Sequence, residues 1–202
     1  MKRSFDFLAA LLLIFALSPV FFLVSLCLLI FQGRPVLFIQ QRLGKDCKIF
    51  HIIKFRTMNE EKEETSISED STSRVTKIGN FLRRYSIDEL PELFNVVKGE
   101  MSLVGPRPLL VEYALYYSEF QNIRHNVLPG ITGLAQIKGR NKITWEKKFK
   151  YDVFYVRNIS FCFDLKILFT TFTILFLNEI NENEQVTVSR FGAQKGKKQN
   201  DG

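Results

Sequence analysis

Residues 83–108 read RRYSIDELPELFNVVKGEMSLVGPRP. Two adjacent carboxylates, Asp88 and Glu89, follow a pair of arginines and precede a rigid Gly-Pro-Arg-Pro turn at 105–108. A carboxylate can attack phosphorus, a second carboxylate can hold a divalent cation, and arginines can neutralise phosphate charge. The stretch therefore favours phosphate chemistry.

The same stretch predicts a helix over 89–98 that ends at Gly99. Proline is tolerated in the first turn of a helix, so Pro91 places Asp88 at or near the N-cap. Capping alone would explain an aspartate there, because N-caps and the helix dipole favour acidic side chains. Phosphate also binds at helix N-termini, and Arg83 lies just upstream, so a catalytic role stands beside the capping role.

The composition limits the classes of function. The chain has 202 residues and a net charge of +7, which fits one modest domain with an appendage. A basic balance suits nucleic acid, anionic lipid or phosphorylated small molecules, and the sequence contains no known nucleic-acid-binding module. Three widely spaced cysteines without a CxxC pair indicate neither a zinc site nor a disulfide framework, which fits a reducing, cytoplasmic setting.

An apolar run extends from Phe7 to Phe31. Its roughly 25 residues would reach about 37 Å as a helix, enough to span a bilayer. Ser18 and Pro19 fall in its middle, where proline kinks or breaks a helix. Basic residues flank both ends, and the positive-inside rule places such flanks in the cytoplasm. The pattern favours a re-entrant helix broken at Ser18-Pro19, and a spanning helix with a proline kink is the alternative.

The remaining sequence predicts a small α+β domain. Short apolar runs at 36–39 and 49–53 predict two strands that are joined by a turn. Helical periodicity or composition predicts further helices at 75–85, 109–120, 145–156 and 164–177. Polar composition predicts a mobile loop at 59–73 and a disordered tail at 180–202. The predicted domains are a membrane helix over 1–33 and a catalytic domain over 34–179.

The last predicted helix is very apolar and carries Phe169, Phe172 and Phe176 on adjoining faces. An amphipathic helix of this kind can lie in the plane of a membrane interface. Burial in the protein core explains the same composition.

Two segments carry candidate phosphate contacts. Prolines on both sides of Arg107 fix the backbone and preset its guanidinium for bidentate phosphate binding, although an ordinary surface loop has the same residues. The segment KFRTM at 54–58 alternates basic and apolar side chains, so Lys54 and Arg56 are expected to face an anion. An exposed strand edge would give the same alternation.

Residues 129–140 read PGITGLAQIKGR and provide candidate nucleotide contacts. Gly130 and Gly133 would allow backbone amides to approach a nucleotide, and Arg140 adds a cation. The segment matches neither a Walker A loop nor a GxGxxG fingerprint.

Together these motifs resemble the small monotopic phosphoglycosyl transferases of the bacterial sugar transferase family. The matching residues are Ser18-Pro19, the segments at 54–58, 86–91 and 105–108, and PGITG at 129–133. The resemblance runs from Lys2 to about Leu177. The segments at 109–113, 139–141 and 145–149 are similar to the bacillosaminyl-phosphate transferase branch in particular.

The resemblance implies a monotopic α+β protein with interfacial amphipathic helices. Its re-entrant helix would have both ends cytoplasmic, and its catalytic domain would lie on the cytoplasmic face of the bacterial inner membrane. The implied donor is a UDP-sugar, N,N'-diacetylbacillosamine or another acetamido sugar, and the implied acceptor is undecaprenyl phosphate.

The resemblance also implies roles for individual residues. Asp88 would attack the sugar-bearing phosphate, release UMP and pass the phosphosugar to the acceptor. Glu89, with Asp88, would bind Mg²⁺. The remaining implied contacts are to the phosphates by Arg107, Arg83 and Lys54, and to the nucleotide by Arg140, Gly130 and Gly133.

Two other functions remain open from the sequence. A glycosyl transferase that releases UDP is one, although the chain lacks an Asp-x-Asp metal motif. A non-catalytic basic adaptor on an anionic membrane is the other. An adaptor explains the apolar run and the positive charge, but it does not explain the Asp-Glu and Pro-Arg-Pro combination.

Overall fold

The computed structural model describes residues 2–58, 75–139 and 143–176, together with Phe191. The predicted mobile loop at 59–73 and Arg140 lie outside the described residues, as does the predicted tail at 180–202 apart from Phe191.

Within these ranges the chain forms both helices and strands, as the α+β prediction requires. The helices are α1 (Lys2–Ala16), α2 (Ser18–Gln32), α3 (Lys77–Arg84), α4 (Glu92–Lys98), α5 (Glu119–Asn122), α6 (Leu134–Ile137), α7 (Trp145–Arg157) and α8 (Phe161–Phe176). The strands are β1 (Leu37–Leu43), β2 (Ile49–Phe55), β3 (Ser102–Val104) and β4 (Gly130–Thr132). Short 3-10 helices occupy Lys45–Cys47, Ile87–Glu89, Val111–Tyr116 and Ile123–Asn126.

The N-terminal apolar run forms two helices that bend by 60° at the predicted position. Pro19 lies in the first turn of α2, where its missing amide costs no intrahelical hydrogen bond. This confirms the break at Ser18-Pro19. Among the described residues no single helix is long and apolar enough to cross a membrane, whereas the bent pair meets that requirement by length and composition.

Buried polar contacts fix the start of α1 to the rest of the domain. The Lys2 ammonium lies 2.6 Å from Asp164 Oδ2 on α8, and Tyr155 donates a hydrogen bond to Asp164 Oδ1 at 2.7 Å. Asp6 is buried and accepts a 2.7 Å hydrogen bond from the Ser102 hydroxyl on β3. Because a buried carboxylate without a donor is costly, these contacts fix where α1 begins relative to β3 and α8.

We expect Ser102→Ala to lower the free energy of unfolding by about 1–3 kcal/mol, because Asp6 loses its closest hydrogen-bond donor while remaining buried. Chemical denaturation of the detergent-solubilised protein measures this change. Ser4→Ala removes an exposed hydroxyl from α1, the helix that carries Asp6, and is the matched control. Equal destabilisation by the two substitutions would contradict the role given to Ser102.

The hairpin of β1 and β2 confirms the two predicted strands. The strands are antiparallel, with Leu37 opposite Phe55 and Leu43 opposite Ile49. Side chains alternate along β2, so Phe50, Ile52 and Lys54 share one face. Phe50 and Ile52 pack in the core cluster that also contains Leu93 and Val96 of α4. The hairpin therefore directs Lys54 towards α4.

A parallel pair of short strands was not predicted from the sequence. Ser102 of β3 pairs with Gly130 of β4, and Val104 pairs with Thr132. Strands of three residues are too short to show the alternation that identifies a strand. The pairing brings the Gly-Pro-Arg-Pro turn at 105–108 beside the segment at 129–133.

The helix predicted over 109–120 is wrong. This region forms the 3-10 helix Val111–Tyr116 and then the short helix α5. Ser118 and Gln121 form a capping box that starts α5 afresh, so helical structure does not run through from the preceding segment.

The last helix forms as predicted, and two of its phenylalanines are on the surface. Phe169 is 74% exposed and Phe172 is 57% exposed, whereas Ile167 is fully buried. Core burial of these two rings is therefore wrong, and their location in a membrane interface stays a prediction.

Candidate active site

Asp88 lies in the 3-10 helix Ile87–Glu89, which follows a left-handed turn at Ser86. α4 begins only at Glu92 and has Pro91 as its N-cap, so the predicted start at 89 and the capping role of Asp88 are both wrong. Proline fits the position before the first helical residue because it needs no hydrogen-bond donor there. Asp88 is 9% exposed, and capping does not account for its burial.

Glu89 is held by two cations from distant parts of the chain. Its Oε1 accepts from Lys54 Nζ at 2.7 Å and from Arg107 Nη2 at 2.6 Å. Burial alone would raise the pKa of Glu89, but Arg107 and Lys54 together lower it well below its usual range. Glu89 in turn raises the pKa of Arg107. The structure thus brings three of the predicted site residues to one point.

A third carboxylate, Glu92, was missed by the sequence analysis. It is 1% exposed, and its Oε1 lies 3.0 Å from Lys54 Nζ at an angle that leaves this oxygen without a well-directed hydrogen bond. Burial raises the pKa of Glu92 to about 7, against the opposing effect of Lys54. Its spacing of three residues from Glu89 would place both on one side of a helical turn, and this was the available signal.

The pKa of Asp88 is raised, first by burial and then by the neighbouring charge of Glu89. Lys54, Arg83 and Arg107 oppose this shift and favour the ionised form. A carboxylate that is partly desolvated but still compensated by cations is a better nucleophile than one in bulk water. The surroundings of Asp88 therefore suit attack on phosphorus.

We expect Glu92 to make stability depend on pH. Its folded-state pKa of about 7 exceeds the ordinary 4.5, so the folded protein binds this proton more tightly than the unfolded chain does. The stabilisation that protonated Glu92 gives to the folded protein is therefore fully present below pH 4.5. It is lost as the pH rises through about 7. Glu92→Gln should make the protein more stable relative to wild type at about pH 8 than at about pH 5, as measured by urea unfolding.

Glu112→Gln, which changes an exposed glutamate, is the control for this titration. A difference in unfolding free energy between wild type and Glu92→Gln that does not vary with pH would contradict the assignment.

The segment at 54–58 contributes both to the site and to the C-terminal end of α2. Arg83 Nε donates to Thr57 Oγ1 at 2.8 Å, which anchors the arginine near Asp88. Arg56 instead donates to the carbonyl oxygens of Gln32 and Gly33, the latter at 2.9 Å. Arg56 thus caps the negative end of the α2 dipole, and the expectation that it also faces an anion stays a prediction.

A buried ion pair supports the backbone that carries Arg107. Arg124 Nη2 donates to the Arg107 carbonyl at 2.6 Å and lies 2.9 Å from Asp152 Oδ2 on α7. Both side chains of this pair are almost fully buried. The position of Arg107 thus depends on α7 as well as on its flanking prolines.

The glycines at 130 and 133 have a packing role. A Cβ at Gly130 would lie 2.0 Å from the Gly105 amide nitrogen, and a Cβ at Gly133 would lie 2.2 Å from the Gly105 carbonyl oxygen. Only glycine permits this approach of two backbones. Their predicted contact with a nucleotide stays a prediction, and Arg140 lies outside the described residues.

Two further cations, Arg42 and Lys148, lie within electrostatic range of Arg107 and were not predicted. The pKa of Arg42 is lowered by burial and then by Arg107, and the same two causes lower the pKa of Lys148. Arg42 Nε is buried and has no hydrogen-bond partner among the described residues. Burial and mutual repulsion disfavour the charged forms of these side chains. A cluster of like charges of this kind is typical of a site that receives an anion.

Phe191, from the range predicted as a tail, packs into an aromatic cluster beside this site. Its ring centroid lies 4.9 Å from that of Phe149, which also contacts the Arg124 guanidinium at 5.7 Å. The other rings around Phe191 belong to Tyr113, Tyr116, Tyr117 and Trp145. This residue of the tail is therefore positioned against the helix that supports Arg107.

Asp88 and Glu89 are the candidate magnesium ligands. No group of three or more His, Cys, Asp or Glu side chains suited to a metal occurs in the described part of the chain. Magnesium commonly uses one or two carboxylates and takes its other ligands from phosphate and water, so this adjacent pair fits such an ion. The contacts to Lys54 and Arg107 both use Oε1 of Glu89, so neither of these two contacts occupies the other carboxylate oxygen.

The chain matches the model of the bacterial sugar transferase family over residues 1–178. It is similar to the uncharacterised sugar transferase EpsL of Bacillus subtilis (strain 168), with 47% identity over 192 residues and 95% of each chain covered. It is also similar to the UDP-glucose:undecaprenyl-phosphate glucose-1-phosphate transferase of Escherichia coli (strain K12). That identity is 40% over 189 residues, which are 89% of this chain and 41% of the enzyme.

A third relative is the UDP-N-acetylgalactosamine-undecaprenyl-phosphate N-acetylgalactosaminephosphotransferase of Aeromonas hydrophila. It is 37% identical over 181 residues, which are 84% of this chain and 42% of that enzyme. The chain thus spans roughly two-fifths of the length of this enzyme and of the Escherichia coli one. The match to the family model and to 95% of the length of EpsL shows that this protein belongs to the bacterial sugar transferase family.

Proposed function

We propose that the protein is a phosphoglycosyl transferase that moves a sugar-1-phosphate from a UDP-sugar to undecaprenyl phosphate. The observation that carries this proposal is the buried carboxylate of Asp88 beside Glu89, whose Oε1 contacts both Lys54 and Arg107. Family membership and the substrates named for the Escherichia coli and Aeromonas hydrophila relatives support the same reaction.

The proposed first step forms a covalent intermediate. A carboxylate oxygen of Asp88 attacks the phosphorus that bears the sugar, and the bond from this phosphorus to the oxygen that bridges the two phosphates breaks. UMP leaves with that oxygen, and the sugar phosphate remains esterified to Asp88. An oxygen of the acceptor phosphate then attacks the same phosphorus, which releases the Asp88 carboxylate and forms a polyprenyl diphosphate sugar.

The cations around the carboxylates fit this transfer. Arg107 is 43% exposed at its side chain, so it can contact a phosphate while Glu89 orients it. Arg42 and Lys148 add positive charge near Arg107 for the second phosphate of the donor. Arg83, anchored by Thr57, compensates the charge near Asp88. Fixed cations of this kind stabilise charge that develops on a transferring phosphoryl group.

Lys54 has an internal role in this scheme. Its ammonium lies between Glu89 and Glu92, at 2.7 Å and 3.0 Å, so it offsets part of the negative charge that would otherwise repel the donor. Direct contact of Lys54 with a phosphate remains part of the proposal. Mg²⁺ bound by Asp88 and Glu89 would supply further positive charge for the phosphate oxygens.

The proposed location is the cytoplasmic face of the bacterial inner membrane, with α1 and α2 as a re-entrant pair. The bend at Ser18 and Pro19 and the basic residues at both ends support this topology. In a variant whose three native cysteines are replaced by serine, single cysteines introduced at positions 2 and 34 should both react with a membrane-impermeant reagent only from the cytoplasmic side. Labelling of one of them from the outside would contradict the re-entrant topology.

For the donor we propose a UDP-linked acetamido sugar, with N,N'-diacetylbacillosamine first. The similarity of the segments at 109–113, 139–141 and 145–149 to the bacillosaminyl branch supports this choice. The relatives named above act on UDP-glucose and UDP-N-acetylgalactosamine, so both belong in the same panel of donors.

Product analysis tests the proposed reaction. Detergent-solubilised protein is incubated with each UDP-sugar and undecaprenyl phosphate, and the released nucleotide is identified. UMP is expected, whereas UDP would indicate an ordinary glycosyl transferase. Lack of turnover with every donor, by protein that still binds anionic vesicles, would favour the membrane adaptor.

A further inference from the structure

An open cavity of about 490 Å³ lies between α6, α7 and α8. Its size falls within the range of about 300–1,000 Å³ that is usual for sites that bind small molecules. The residues that line it include none of Asp88, Glu89, Glu92, Lys54 or Arg107. The proposed reaction therefore leaves this cavity unexplained.

The cavity combines apolar walls with three ammonium groups. Leu134 and Ile167 are buried core residues, and aromatic rings come from α7 and α8. Three exposed lysines line the same cavity: Lys138 directly after α6, Lys150 on α7 and Lys166 on α8. No carboxylate lines it. In the described part of the chain, none of these lysines forms an ion pair.

The helix α8 also carries an exposed apolar stripe that adjoins the proposed membrane helix α1. Phe161, Leu165, Phe169 and Phe172 are exposed and follow one another at helical spacing along α8, which also carries Lys166. The ring of Phe161 packs edge-on against Phe5 of α1 at 5.1 Å. On α8 this stripe faces away from the cavity-lining Phe163 and Ile167, and Lys166 lies between the stripe and the cavity, so a lipid would enter past Lys166.

We propose that this cavity binds a bilayer phospholipid with an anionic headgroup. An acyl chain would lie against the apolar walls, and the phosphate would contact Lys150 and Lys166, with Lys138 nearby. Charge complementarity selects an anionic occupant, because three unpaired cations would repel a positively charged amphiphile and would gain less from a zwitterionic one. The inference rests on the proposed membrane association, and it does not depend on the chemistry at Asp88.

Native mass spectrometry of the full chain in detergent tests the site. One arm adds phosphatidylglycerol, a second adds phosphatidylcholine of the same acyl length, and a third adds undecaprenyl phosphate. We expect a one-to-one phosphatidylglycerol adduct that is bound about tenfold more tightly than phosphatidylcholine, since two charge-assisted contacts are gained.

Two variants of cavity residues and one control variant test which side chains bind the lipid. Lys150→Gln with Lys166→Gln is expected to weaken the phosphatidylglycerol adduct about tenfold. Lys77→Gln with Lys147→Gln removes the same charge from exposed lysines outside the cavity and should leave the adduct unchanged. Thr170→Phe fills part of the cavity and should weaken the adduct while every lysine is retained.

Several results would overturn the proposal. These are equal adducts with both phospholipids, an adduct that persists in Lys150→Gln with Lys166→Gln or in Thr170→Phe, and equal loss in the control pair. Displacement of phosphatidylglycerol by undecaprenyl phosphate would assign the cavity to the acceptor instead. None of these readouts requires turnover, so the test remains decisive if the transferase proposal fails.

Discussion

Asp88→Asn is expected to lower UMP release by about three orders of magnitude or more, because an amide cannot form the covalent phosphosugar ester. The substitution preserves the size and shape of the side chain. The raised pKa of Asp88 shows that burial disfavours its charge, so an uncharged amide should not lower stability. Loss of turnover in a protein that is as stable as wild type would assign the effect to the chemical step.

Asp46→Asn is the matched control for this variant. Asp46 is an exposed aspartate in the β1–β2 turn, where its φ of 53° is a conformation that asparagine adopts readily. Turnover of the control should stay close to wild type. Mass spectrometry of wild type that has been mixed with donor alone should show a phosphosugar adduct on the peptide that contains Asp88. Turnover of Asp88→Asn within tenfold of wild type would rule out the covalent intermediate.

Removal of divalent cations is the second large effect. EDTA is expected to abolish sugar-phosphate transfer, and Mg²⁺ added in excess should restore it, because two adjacent carboxylates otherwise repel the anionic donor. The ion pairs of Glu89 with Lys54 and Arg107 offset only part of this charge, since Asp88 and Glu92 are carboxylates too. The measurement is UMP release against Mg²⁺ concentration.

Glu89→Gln separates metal binding from other effects of EDTA. The variant keeps an oxygen near Lys54 and Arg107 but loses the charge, so half-maximal turnover should need a higher Mg²⁺ concentration, by about tenfold. Glu100→Gln changes a glutamate that accepts from Asn95 at the end of α4 and should leave the Mg²⁺ requirement unchanged. Full turnover of wild type in EDTA would refute a role for the metal.

Local signals in the sequence were enough to predict several elements correctly. Pro19 breaks the apolar run, the turn at 44–46 separates the two strands of the hairpin, and the helical segments at 145–156 and 164–177 form α7 and α8. Each of these features depends on residues within a few positions of one another. The prediction of one helix over 109–120 was wrong although the signal against it is also local. The capping box at Ser118 starts a new helix within that range.

The site was predicted only in part. The Asp88-Glu89 pair and the two arginines near it lie close together in the chain, so the pattern was visible as a motif. Glu92 also lies in that stretch, on α4, but its importance depends on its burial and on Lys54, which comes from the distant strand β2. A surface glutamate in a helix would have the same sequence context.

By itself, the sequence determined the break at Ser18-Pro19, the hairpin and the adjacent carboxylates, because proline geometry, side-chain alternation and residue chemistry act over short distances. Tertiary structure alone decided that Lys54 lies between two glutamates, that Arg42 and Lys148 lie within electrostatic range of Arg107, and that Arg56 caps α2. These placements follow from packing between segments that are far apart in the chain. No short-range pattern specifies them, because burial and compensation of charge arise only when those segments meet.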